Sequence, residues 1–308
     1  MKHKSFHLLS ILQALLVTFL WSTSFIIIKW GLIEIPPITF AGLRYSLAFL
    51  CFLPFIILKK NYFQEVKSLS SVQWKKLTLL GVVFYTFTQG AQFLGLFLLP
   101  SVAVSLILNF APIIVAVMGI LLLNEKPTSL QWIGTILFLI GILTYFLPIS
   151  LLENEMLGLL IMFIGVLANS GSAIIGRDIN RRKDVSPLMV TFISMGIGAI
   201  ILLIVGLSLN GFPAISTSNW IFLIWLAGIN TAFAFTLWNL TLRTLTAMES
   251  SIINGTMLIQ IAILALIFLN EKITLQEGIG MFIAGLGAVL VQIKKINNNK
   301  INVRLKNL

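Results

Sequence analysis

Leu123-Asn124-Glu125-Lys126-Pro127-Thr128 is answered, 146 residues later, by Leu269-Asn270-Glu271-Lys272-Ile273-Thr274. The same shift sets Gly134 on Gly280 and Gly141 on Gly287, while elsewhere the likeness is weak. Working outward from these anchors, apolar windows fall near residues 9–29, 38–58, 76–98, 101–122, 129–147, 156–176, 187–208, 219–240, 247–269 and 274–293. Each is about 20 residues long, enough to cross a roughly 30 Å hydrocarbon layer. Equivalent points of the two copies are separated by five such windows, an odd number, so the second copy enters the layer from the opposite side. The expectation is an all-α polytopic membrane protein: ten transmembrane helices as two inverted five-helix repeats, residues 1–147 and 148–308, the second ending in a basic tail.

Composition leaves little room for another class. Of 308 residues 58% are hydrophobic and 10% charged, with mean hydropathy +1.02, whereas a soluble domain carries about 25% charged residues. The formal charge of +11 would raise nucleic acid as a partner in a soluble chain. Here its placement reads as topology. With the N-terminus in the cytoplasm, eighteen of the 21 Lys and Arg residues fall in cytoplasmic segments. Lys29 and Lys272 lie on the other side, and Arg44 lies inside a span. That asymmetry predicts a multi-pass protein of the plasma membrane (a prokaryotic cell membrane) with both termini cytoplasmic. The tail residues Lys294, Lys295, Lys300, Arg304 and Lys306 are expected to lie on anionic lipid headgroups rather than RNA. The single cysteine, Cys51, excludes an intramolecular disulfide, and the apolar stretch after Lys2 and Lys4 reads as a retained first helix.

Polar side chains inside spans mark where a path could run. Trp21 and Ser22 lie on span one; Tyr85, Gln89 and Gln92 follow one stripe of span three; Asn109 lies on span four. Asn169 and Ser172 lie on span six, Asn230, Trp238 and Asn239 on span eight, and Asn254 on span nine. Spans one, three, four, six, eight and nine are thereby expected to surround a polar path, with spans two, five, seven and ten outside. Small residues on such stripes also serve simple helix packing, and Ser101, Ser105 and Gly165 are read that way. Arg44 has two readings, a side chain snorkelling outward or an inward cation for a substrate carboxylate or partner acid, and the sequence favours the first. Glu249 is a candidate for proton coupling or a headgroup-level carboxylate. Thr128 with Gln131 and Thr274 with Glu277 have the spacing of capping boxes. Glu125 and Glu271 accordingly fall near the positive N-termini of spans five and ten.

Leu20-Trp21-Ser22-Thr23-Ser24-Phe25, then Pro36-Pro37 and Arg44, then the paired Asn-Glu-Lys segments, resemble the EamA-type members of the drug/metabolite transporter superfamily over about residues 9–293. The resemblance implies ten spans, cytoplasmic termini, a central cavity between the halves, and movement of small metabolites, often export of amino acids or related compounds. Trp21, Arg44, Glu125 and Glu271 match family-typical positions; Ala168 stands where the family often repeats the tryptophan. The family carries no universal substrate-binding residues.

The residues themselves favour a secondary transporter driven by gradients, since no phosphate-binding G-x-x-x-x-G-K-[ST] segment occurs. An intramembrane enzyme would need clustered histidines, paired carboxylates or a serine with its base. No histidine falls in a span, and Gly171-Ser172 has no such base. No cofactor or metal is expected. The partners expected are a small zwitterionic or neutral solute and membrane lipid, with the protein a monomer or weak homodimer. A channel or lipid flippase of similar architecture is the alternative reading.

Overall fold

The computed structural model describes residues 2–58, 60–111, 113–114, 129–147, 153–182, 184–241, 244–245 and 253–292. Among them every regular element is helical. The helices are α1 (Lys2–Gly31), α2 (Pro37–Leu58), the short α3 (Lys60–Ser68), α4 (Ser71–Leu80), α5 (Gln89–Leu98) and α6 (Ser101–Leu108). They continue as α7 (Ser129–Phe146), α8 (Glu153–Arg182), α9 (Pro187–Asn210), α10 (Thr217–Ala227), α11 (Ala234–Thr241), α12 (Met257–Phe268) and α13 (Leu275–Gln292). A π-helical segment, Gly81–Thr88, joins α4 to α5, and a second, Gly228–Phe233, joins α10 to α11.

Among the described residues, six helical stretches are long and apolar enough to cross a bilayer: His7–Gly31, Pro37–Leu58, Ser71–Leu98, Glu153–Gly176, Pro187–Asn210 and Thr217–Trp238. Shorter apolar helices are Trp132–Phe146, Ile253–Phe268 and Leu275–Leu290. Their outward faces carry large exposed apolar side chains such as Ile57, Leu160, Leu209, Ile224 and Phe282. A helix suits this setting because it bonds its own backbone polar groups where lipid offers no partner.

Local chemistry sets the helix ends. The Ser70 hydroxyl accepts from Gln73 N–H at 3.3 Å while the Gln73 side chain accepts from Ser70 N–H at 2.7 Å, a capping box at the start of α4. Ser216 caps α10 in the equivalent place. Thr274 and Glu277 form the box predicted for α13, with bonds of 2.6 and 3.2 Å. Asn270 has φ 52°, a left-handed conformation that asparagine tolerates better than most residues. It folds the chain back so that Glu271 N–H reaches the Ala265 carbonyl at 3.3 Å. The asparagine of this copy of the repeated motif is therefore the turn between α12 and α13.

Two pairs of sequence-equivalent helices pack against each other. α7 and α13 run antiparallel, Gly141 beside Gly280 and Gly287 beside Gly134, with backbones in contact. α2 and α9 do the same: Gly42 lies against Leu203, Gly206 against Thr39, and Gly196 against the Phe49 ring. Phe49 also stacks on Phe192 at 4.5 Å. Small residues allow this approach, which in lipid supplies the van der Waals contact that hydrophobic burial cannot.

Span two thus departs from the expected purely peripheral role. α2 and α9 bury one face against each other and their neighbours, α2 burying Phe40, Arg44 and Tyr45, while Ile57 and Leu209 remain exposed on the outer face. Their few polar residues suggested lipid contact, but close packing through glycine needs no polar groups. The third span begins at Ser71 rather than near residue 76. The fourth is interrupted: α6 ends at Leu108, and a turn follows at Asn109–Phe110. Under the 146-residue shift Phe110 falls on Thr256, where the ninth window also has a turn before α12. The second π segment likewise lies inside residues 227–234, equivalent to Gly81–Thr88.

A methyl group added at Gly280 would stand 2.6 Å from the Tyr145 backbone nitrogen, and one at Gly206 2.6 Å from Thr39 Cα. Gly280→Ala and Gly206→Ala are expected to lower thermal stability in detergent, each by about 1–3 kcal/mol, the usual cost of overpacking. Gly285→Ala meets nothing within 4 Å and is expected to leave the melting temperature unchanged or raise it.

Candidate functional site

α2 carries the one cation found deep inside the described bundle. Arg44 is 4% exposed and does not snorkel. Its Nε donates to Thr231 Oγ1 at 3.0 Å and its Nη2 to Ser24 Oγ at 3.4 Å. The guanidinium carbon lies 5.4 Å from the centre of the Tyr45 ring. Tyr45 O–H in turn donates to Gln89 Oε1 at 2.6 Å, and its ring meets Tyr85 edge-on at 5.5 Å. Among the described residues no carboxylate pairs with Arg44. Thr231 belongs to the second π segment, and its hydroxyl donates to the Leu226 carbonyl five residues back at 2.8 Å. The widened turn thus supplies the oxygen that receives Arg44 (π segments often mark functional positions).

The neighbouring Asn230 is fully buried and crosses to α1. Its Nδ2 reaches the Leu20 carbonyl, Thr23 Oγ1 at 3.0 Å and Ser24 Oγ at 2.9 Å. Because the Leu20 carbonyl only accepts, it fixes the amide orientation and leaves Asn230 Oδ1 buried without a partner. One turn away Trp21 packs on Phe235 and Trp238, each at 5.2 Å, with its Nε1 also buried and unpartnered. Ser22 donates to Gln260 Oε1 at 2.9 Å, and Gln260 Nε2 reaches Thr18 Oγ1 at 3.3 Å and Thr256 Oγ1 at 3.0 Å. Gln260 therefore ties α1 to the turn that precedes α12.

The candidates drawn from sequence separate into groups. Trp21, Ser22, Arg44, Tyr85, Gln89, Asn230 and Trp238 are drawn together along α1, α2 and the two π-containing spans. Gln92 is half-buried one turn beyond Gln89. Asn109 spends its Nδ2 on the Ser105 carbonyl at 2.9 Å and forms the end of α6. Ser172 is buried and donates to the Asn169 carbonyl at 2.7 Å; Asn169 is half-buried. Asn254 is exposed. Glu125, Thr128, Pro112, Glu249 and the Asn239 side chain lie outside the described residues. Tyr45 and Phe235 were not foreseen, nor was Phe84, whose ring meets Tyr85 at 4.9 Å and Phe235 at 6.5 Å. Tyr45 was visible as a second polar group beside Arg44, whereas Phe235 looked like any lipid-facing aromatic.

Glu271 does not serve its own helix as expected. Its carboxylate accepts from Ser101 N–H at 2.8 Å and Val102 N–H at 3.4 Å, the N-terminus of α6 in the other half. Lys29 donates to the Leu99 carbonyl at 2.7 Å, just past the end of α5, within electrostatic reach of Glu271. A cation on a helix C-terminus and an anion on an N-terminus both match the helix dipoles. Glu34 does the same for α10, accepting from the Ser216 hydroxyl at 2.7 Å and N–H at 2.5 Å and from the Asn219 amide. Glu65 accepts from Ser186 N–H and, at 2.9 Å, from its hydroxyl at the start of α9.

The chain matches the EamA-like transporter family twice, over residues 8–147 and 156–293. It is similar to a Bacillus subtilis protein named only as an uncharacterized transporter, YoaV, at 26% identity over 86% of this chain and 90% of the relative. An Archaeoglobus fulgidus protein, also named a transporter, is 26% identical over 62% of this chain and 64% of its own length. A second Bacillus subtilis transporter, YvbV, is 28% identical over 66% of this chain and 65% of that protein. A solved crystal structure shares the fold with TM-score 0.67 at 14% identity, covering 92% of this chain and 96% of the other.

The Ser216 hydroxyl, and with it the Ser216 N–H and the Asn219 amide, holds the Glu34 carboxyl below its ordinary value of 4.5 against a smaller opposing effect of burial. A depressed carboxyl contributes stability above its unfolded pKa and loses it as pH falls through the folded pKa. Thermal unfolding of Glu34→Gln is therefore expected below wild type at neutral pH. The two curves should converge below the ordinary glutamate range; a gap that persists there means the carboxylate charge is not the cause.

Proposed function

The chain belongs to the EamA-like transporter family, and from that premise we propose that it is a secondary transporter of small metabolites built from ten spans in two inverted five-helix repeats. The two family matches support a division into two repeats, and the six long and three shorter apolar helices among the described residues are in keeping with it. The antiparallel α7–α13 and α2–α9 pairs support it too, being the contacts an inverted duplication makes with itself. The lysine and arginine asymmetry supports placing both termini on the cytoplasmic side of a cell membrane.

One observation carries the reading. Polar groups that cost free energy in a membrane converge on the seam where α1 and α2 meet the two π-containing spans, and two of them, Trp21 and Asn230, retain a buried hydrogen-bonding atom without a partner. Broken helices near the middle of a membrane, at equivalent places in two halves, are the usual construction of a transporter site. The solute is an amino acid or related small zwitterionic or neutral compound, moved outward by alternating access of the shared path. Trp21, Ser22, Tyr85, Gln89, Gln92, Asn230 and Trp238 line it, with Asn109 and Asn254 at the breaks and Asn169, Ser172 and Asn239 on its flanks. Mechanistically, the two halves rock about the glycine-packed pairs, and the turns at Asn109–Phe110 and Thr256 absorb the bending.

Replacement of Gln89, Asn109 or Trp238 by Ala should reduce saturable solute transport in proteoliposomes by about ten-fold, as loss of a few buried contacts would, with abundance and insertion unchanged. Normal transport by all three variants would remove the path from this seam.

A further inference from the structure

The geometry points to Arg44 as the receptor for an acidic group of the transported solute, most simply a carboxylate. This rests on the transporter reading above and narrows its substrate to compounds that carry an acid. Arg44 presents a guanidinium with five N–H donors in a planar fork. Thr231 and Ser24 occupy two nitrogens with neutral hydroxyl oxygens, the second at a long 3.4 Å, and Nη1 has no partner among the described residues. A charge at membrane depth costs roughly 2.5–3.5 kcal/mol on insertion scales, and a hydroxyl solvates it without neutralising it. The fork is shaped to take a carboxylate through two parallel bonds, which would return that cost on binding.

The surroundings add detail to the ligand. Ser24 Oγ is shared between Arg44 and Asn230, so Asn230, whose Oδ1 is a buried acceptor without a donor, is linked to the cation through one hydroxyl. Trp21 Nε1 is a donor without an acceptor on the same helix, and Trp21, Phe235 and Trp238 form an apolar wall. The matching solute carries an acid for Arg44, a hydrogen-bond donor close to that acid for Asn230, and an apolar remainder against the rings. Tyr45, braced by Gln89, holds the guanidinium from below. Lysine could supply the charge but not the planar fork.

The test uses full-length protein in proteoliposomes, offered a uniformly 13C-labelled small-molecule cell extract, with accumulated solutes sorted by mass spectrometry. Wild type is expected to take up solutes bearing an acidic group and to reject their amides added as competitors. Arg44→Gln should lower that uptake by about ten-fold or more, as removal of one partner of a buried charge pair does. Arg44→Lys, folded by size-exclusion and thermal criteria, should fall between the two through a raised KM. Uptake by wild type confined to acid-free solutes, equal competition by acids and amides, or unchanged uptake in Arg44→Gln would each overturn the assignment while leaving the transporter reading standing. No uptake above empty liposomes by wild type would overturn both.

Discussion

Hydrocarbon offers a peptide group no hydrogen bond, and the organisation of this chain follows from that constraint. A span can leave regular helix only where protein surrounds the exposed backbone. The described helices do so at the π segments Gly81–Thr88 and Gly228–Phe233, and at the turns of Asn109–Phe110 and Thr256. All four lie in the spans that carry the polar candidates, and each pair is related by the 146-residue shift. Thr88 and Thr231 meet the altered backbone directly, their hydroxyls donating to carbonyls five residues earlier. Irregular backbone and polar side chains occur together because each needs the other out of lipid.

The scaffold around this seam is held by contacts of a different kind. Backbone-to-backbone packing through Gly141, Gly280 and Gly287 on one side and Gly42 and Gly206 on the other is insensitive to salt and pH. The ends of the helices are held electrostatically, with Glu34, Glu65 and Glu271 each seated on the N-terminus of a helix distant in sequence. Glu271 explains why the second Asn-Glu-Lys segment has its composition. Asn270 turns the chain, Glu271 crosses to the first half, and Thr274 begins the next helix. The capping role of Thr274 followed from spacing alone, because a capping box is local. The destination of Glu271 did not, because it depends on which helix end the fold brings near.

The same distinction decides what else was legible. Helix periodicity and length located the six long described spans to within about five residues, since the bilayer imposes one length on all of them. Gln89, Trp21 and Asn230 were legible as polar groups in costly places. Whether Arg44 turned inward was not, because one residue of helix rotation separates the two outcomes and the rotation is set by glycine contacts between α2 and α9 that no periodicity displays. Asn109 shows how one polar residue in a span takes a local structural role as well: it ends α6 after Leu108 and gives its amide to the Ser105 carbonyl.

Duplication and site are also separable in the residues themselves. Under the shift Trp21 falls on Leu167, Ser22 on Ala168, Arg44 on Val190, Tyr45 on Thr191, Gln89 on Phe235 and Gln92 on Trp238. The irregular backbone repeats, but the side chains that line it do not. Such a division is what the proposed mechanism demands. Exchange between two orientations at similar free energy requires the moving framework to be alike in both halves, since each half must adopt the conformation of the other. Recognition has no such requirement, because the solute is itself asymmetric and stays in one place while the halves move. The cation, Ser24 and the Tyr45 ring come from one repeat and Thr231 and Asn230 from the other, so neither half alone contains the proposed site.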